Sequence, residues 1–277
     1  MNGEQPFIIY KRRGFQNPSL IIAWGYDAGG LAAGVIELLD KNLGLEIFAE
    51  IKTPEFFSVD GVAIEEDVIQ IPESRFYYCQ ARNLLIFESD APSREHYRFL
   101  NTILDFAVDR CKVKELYTVG GIVSPIAHIN PRKVFAVVNQ SKLRRKLARY
   151  GVETNVDYQT PPGERPTLSS FLLWVAQRRD VAACGLWVEV PFYLAAVGDP
   201  AASKRALEFL DRRFKLGLDL GELDLEIQKL NKDIEELKRQ TPDVDRCIEL
   251  LKSGIALSED DGERLAGEVA KFLQERK

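Results

Sequence analysis

Apolar and polar positions over the first two thirds of the chain follow two rhythms. Short apolar runs at Leu20–Trp24, Glu46–Ile51, Asn83–Phe87, Glu115–Val119, Lys133–Val138 and Ala182–Val188 have the length of buried strands. Between them, apolar residues recur every three or four positions over 28–43, 93–111, 141–150, 167–179 and 199–216, the spacing of helices with one buried face. Ser93 and Thr167 stand where such helices would start. Pro161, Pro162, Gly163 and Pro166 make 157–166 a loop. Strands alternating with helices predict an α/β layer fold.

The rhythm changes after Gly217. Leu216, Leu220, Leu223, Ile227, Leu230, Ile234 and Leu237 form a coiled-coil-like seam until Thr241-Pro242 ends the helix. Val244, Ile248, Leu251 and Ile255 restart the pattern, and Ser258 is placed to cap a last helix carrying Leu265, Val269 and Phe272. These patterns divide the chain into an α/β/α part, 1–217, and a helical extension, 218–277, built as a hairpin or arm. A helix of this length is marginal alone in water, so the seam needs a partner, either its own following helices or another subunit. Leu220, Leu223, Ile227, Leu230, Ile234 and Leu237 are therefore candidate oligomerisation residues.

Composition narrows the classes. The chain has 277 residues, 45% hydrophobic and 29% charged, with a formal charge of −5, an ordinary globular balance that argues against nucleic acid as partner. Its basic segment 143–149 alternates with apolar residues and reads as the wet face of a helix. No apolar run approaches the roughly 18 residues of a membrane span, and Met1–Pro6 lacks the layout of a signal peptide. Cys79, Cys111, Cys184 and Cys247 lie far apart, as free thiols of a cytoplasmic protein would. With His96 and His128 as its two histidines, the chain offers little for a metal site.

The run Gly25-Tyr26-Asp27-Ala28-Gly29-Gly30 follows a strand and opens a helix, as phosphate loops do. It has neither the spacing of a dinucleotide fingerprint nor the lysine of a P-loop. Asp27 stands where a capping residue would, and would repel a phosphate. Ala28, Gly29, Ala32, Ala33 and Gly34 give the helix a small side suited to close packing on the sheet. Ligands of α/β sheets bind beyond the carboxyl ends of the strands. Those ends carry Asp27, Gly29, Gly30, Glu88, Gly120, Gly121, His128 and Glu189, the candidate ligand-binding residues. The same carboxylates could equally cap the helices that follow. No nucleophile elbow and no cysteine–histidine couple can be read from spacing, so no catalytic residue is assigned.

Taken in order, the Gly25–Gly30 run, Val119-Gly120-Gly121, the His128–Pro131 loop before a strand ending at Asn139, and the Pro-Gly loop at 161–163 resemble the proteasome-assembly-chaperone family, in its prokaryotic branch. Glu189-Val190-Pro191-Phe192-Tyr193-Leu194 is similar to a Val-Pro-His-Tyr-Leu-like segment of that branch, with Phe192 as the departure. The resemblance implies a three-layer α/β/α fold similar to purine nucleoside phosphorylases, a helical extension, and a homo-oligomer, a trimer being favoured. It also implies a protein partner, proteasome-related or other. The hydrophobic-Tyr-X tail by which some relatives dock is not matched by Phe272–Lys277.

Two functions follow. The leading expectation is a non-enzymatic scaffold or assembly chaperone without cofactor, acting through protein contacts. The alternative is a nucleoside- or small-metabolite-binding enzyme using Asp27, Glu88, His128 and Glu189.

Overall fold

The computed structural model describes residues 6–25, 27–52, 55–57, 63–65, 67–157, 159–160 and 162–276. Tyr26, Pro161 and Lys277 lie outside the described residues. The strands are β1 (Phe7–Ile9), β2 (Ser19–Trp24), β3 (Glu46–Ile51), β4 (Ala63–Glu65), β5 (Val68–Gln70), β6 (Ser74–Cys79), β7 (Leu84–Ser89), β8 (Glu115–Ser124), β9 (Val134–Val138) and β10 (Ala182–Pro191). Eight of them form one sheet in the order β1-β3-β6-β7-β2-β8-β10-β9, with β4 and β5 paired as a separate hairpin. Its centre, β7-β2-β8-β10, is parallel, and the strands on either side are antiparallel.

The parallel strands are nearly continuous apolar runs because both of their faces are covered. Ile21, Ile86, Tyr117 and Leu186 point to one face, under α1 (Leu31–Leu43) and α5 (Pro200–Phe214). Leu20, Phe87 and Leu116 point to the other, under α2 (His96–Leu104) and α4 (Leu168–Arg178). The second face is aromatic: the Phe76 ring lies tilted against Phe87, 4.5 Å away, and Phe106, 4.6 Å away. The result is a three-layer α/β/α fold with a mixed, largely parallel sheet.

Local signals explain the helix ends. Thr167 accepts the Ser170 N–H and Ser258 accepts the Asp261 N–H, as caps do. Ser93 does not cap: its N–H bonds Phe56, and α2 starts three residues later. The stretch 105–110 continues α2 as a π-helical turn. In α3 (Ser141–Leu147) Leu143 and Leu147 are buried and Arg144 and Arg145 exposed. All four cysteines are free and buried.

Beyond residue 217 come α6 (Gly221–Gln240), α7 (Pro242–Lys252) and α8 (Glu259–Gln274). Leu223, Ile234 and Leu237 of the seam are buried in the same core cluster as α1 and α5, with Leu220 and Leu230 packed against it and Ile227 half-buried. Val244, Ile248, Leu251, Leu265 and Val269 complete that cluster, so the chain covers this part of its own seam. Among the described residues no helix is long and apolar enough to cross a membrane.

Candidate functional site

Three connections meet at the carboxyl ends of the parallel strands: the turn 25–30, the loop 125–133 and the turn 192–199. The first is shaped by two glycines with positive φ, Gly29 at 74° and Gly30 at 57°, which L side chains rarely adopt. It sits so close to β8 that a Cβ on Gly121 would lie 2.3 Å from the Ala28 carbonyl oxygen. Asp27 ties the junction. Its Oδ1 accepts the Ala32 N–H of α1 at 3.1 Å, and its Oδ2 accepts the Gly121 N–H of β8 at 2.8 Å. Burial pushes the carboxyl above its ordinary range, and those N–H groups pull it part of the way back. The small side of α1 is divided: Gly29 meets Val190 of β10, Gly34 faces Ser203 of α5, and Ala33 is exposed.

His128 is buried in its loop. Its backbone N–H donates to the Tyr193 hydroxyl oxygen at 2.6 Å, and that hydroxyl lies 2.9 Å from Nδ1. Nε2 is a buried atom with no hydrogen-bond partner among the described residues. Burial, with Arg132 nearby, pulls the imidazole down to about 4, so it is neutral at pH 7. Arg132 donates to the His128 carbonyl and forms a buried, two-pronged ion pair with Asp199 at 2.7 and 3.2 Å. Asp199 also caps α5 through the Ala201 N–H. The loop is thus bolted to the start of α5.

Glu189 accepts the Lys133 N–H at 2.9 Å and the Ser124 hydroxyl at 3.2 Å. Glu88 accepts the Tyr77 hydroxyl at 3.0 Å; burial, then Glu88, pushes that phenol up to about 12. No hydrogen bond joins any two of Asp27, Glu88, His128 and Glu189. Each of the four side chains is instead held by a separate partner of the fold. Among the described residues no group of three or more His, Cys, Asp and Glu could hold a metal ion.

A cleft of about 370 Å³ opens beside the turn, between α1, the start of α5, α6 and α8. Gly29 and Gly30 line it, whereas Asp27, Glu88, Gly120, Gly121, His128 and Glu189 do not. Its wall carries Glu37, Glu222 and Glu226, and burial with the charges of Glu222 and Glu37 raises the Glu226 carboxyl. The polar residues that sequence reasoning missed here are Arg132, Asp199 and Tyr193. Their partners lie 65 to 67 positions away, so spacing carried no signal.

The family model of the PAC2 family matches residues 25–238, from the first glycine of the turn to the end of the buried seam. The chain belongs to the PAC2 family. Its fold recurs in PbaB, an archaeal proteasome activator from Pyrococcus furiosus, at 21% identity and a TM-score of 0.69, covering 84% of this chain and 98% of that one. It recurs in the Mycobacterium tuberculosis proteasome-assembly chaperone homologue, at 17% identity and a TM-score of 0.67, covering 79% and 94%. A second Mycobacterium tuberculosis protein, of unknown function, matches at 19% identity and a TM-score of 0.75, covering 97% and 98%. No curated protein matches in sequence. In this PAC2 chain Phe192 packs edge-on against Tyr193 and lies beneath Gly262 of α8.

Proposed function

We propose that this PAC2 chain is a proteasome-assembly-chaperone-like scaffold that acts in the cytoplasm as a homo-oligomer, a trimer being favoured, without catalysing a reaction. The observation that carries the reading is the engagement of the strand-end residues. Asp27, Glu88, His128 and Glu189 each bond to a group of the fold itself.

Support for surface contacts comes from the β4–β5 hairpin, where Ile64, Val68, Ile69 and neighbouring Ile71 are exposed, and from exposed Tyr97 and Trp174. The last helix is held in place: Leu273 is buried, and Arg276 pairs with Asp233 and Glu236 of α6. In this reading the partner meets folded surface such as the β4–β5 hairpin. The proteasome-related names of the two structural relatives supply the class of partner.

Affinity purification from native lysate, read by mass spectrometry, tests the partner. Proteasome subunits recovered with the wild type and lost with Ile64→Asp/Ile69→Asp are the expected result; recovery of the chain alone contradicts it. Sedimentation tests the assembly, and a monomer across micromolar concentrations contradicts the oligomeric part.

A further inference from the structure

At the sheet edge, β1 runs into Tyr10-Lys11-Arg12-Arg13. This segment, Phe48 of β3 and the π-helical turn at 105–110 line a half-open cavity of about 790 Å³. That size falls within the usual 300–1,000 Å³ or so of small-molecule pockets. Lys11, Arg12, Arg13 and Arg110 line it, and among the described residues no acidic side chain does. Glu46, outside the lining, pairs with both Lys11 and Arg13. The lining itself is basic, on a chain whose net charge is −5. Such a focus of opposite sign draws in anions.

Two further features show what kind of anion fits. Arg13 Nε is a buried donor with no hydrogen-bond partner among the described residues, and such donors in folded proteins nearly always have an acceptor. The same walls are aromatic: Phe7, Phe15, Phe48 and Phe106 line the cavity, and the Arg110 guanidinium lies 5.9 Å from the Phe7 ring centre. Cys111 adds another apolar wall, because burial pushes its thiol up to about 12 and leaves it without thiolate character.

We propose that this cavity binds an anionic amphiphile, its alkyl or aryl body against Phe7, Phe48 and Phe106 and its carboxylate or phosphate head on Arg12 and Arg13. The head supplies the acceptor that Arg13 Nε lacks. A hollow of this size suits one small anion better than the repeated phosphates of a nucleic acid, which need an extended basic track.

Calorimetric titration of the full chain with octanoate, octyl phosphate, octanol and inorganic phosphate tests the assignment. At least one of the two anionic amphiphiles binds, and the tighter of them identifies the head group. Octanol and inorganic phosphate each bind at least about tenfold more weakly, the loss of one charge-assisted bond or of the apolar body. Arg13→Met and Arg12→Gln each weaken binding by about tenfold or more. Circular dichroism checks folding, and exposed Arg12 keeps the test valid should Arg13→Met unfold. The proposal is overturned by no binding of either amphiphile, by octanol or inorganic phosphate binding as tightly as they do, by unchanged affinity in both variants, or by an RNA oligonucleotide displacing the amphiphile at lower concentration.

Discussion

The crevice at the carboxyl ends of the parallel strands and the cavity beside β1 are both polar hollows on one sheet, but their side chains are committed differently. In the crevice, Asp27 bridges α1 to β8, Glu189 holds Lys133 and Ser124, and Arg132 locks onto Asp199. At the edge, cations crowd an aromatic hollow and Arg13 Nε faces no acceptor among the described residues. Location at strand ends is the usual prior for a ligand site. The contrast shows that the state of each donor and acceptor is the better guide: groups that already hold the fold together have nothing left to offer a ligand.

If the crevice residues serve the fold, changing them costs stability, and changing the edge residues does not. The largest effect is expected for Asp199→Ala, which strands the Arg132 guanidinium and removes the α5 cap; urea unfolding should show a loss of about 3–5 kcal/mol. Next is the pH dependence of His128. Its folded value, about 4, lies below the ordinary 6.5, so the unfolded chain takes up a proton that the folded chain refuses. Stability is complete above pH 6.5 and falls by up to about 3 kcal/mol as pH drops to 4. His128→Phe should remove that part of the slope, measured as melting temperature against pH. Smallest is Arg12→Gln at the edge cavity, where an exposed side chain is changed and stability should stay within about 0.5 kcal/mol. A large loss there would erase the contrast.

Much of the fold was legible in the sequence. All six strands read from apolar runs are present, and the four parallel ones, β2, β7, β8 and β10, read most plainly because they are apolar on both faces. β6 was missed because Arg75, Tyr77 and Tyr78 interrupt its apolar run, and β1 because its three residues sit beside a basic stretch. The capping place of Asp27 was readable from local order, whereas its second bond, to Gly121, spans 94 positions and was not. His128 reads as a loop residue in sequence because only the fold brings Tyr193 and Arg132 around it. The Arg13 cavity gives no sequence pattern at all: Phe48 and Phe106 reach it from separate elements.

The central claim is that the strand-end polar groups are structural, and Asp27→Ala tests it most directly. Unfolding free energies should be measured for wild type and variant, each with and without a panel of nucleosides and nucleotides. The variant should lose about 1–3 kcal/mol from the unpaired Ala32 and Gly121 N–H groups, and no compound should stabilise either protein. A variant as stable as the wild type, together with a nucleoside that stabilises the wild type alone, would contradict it.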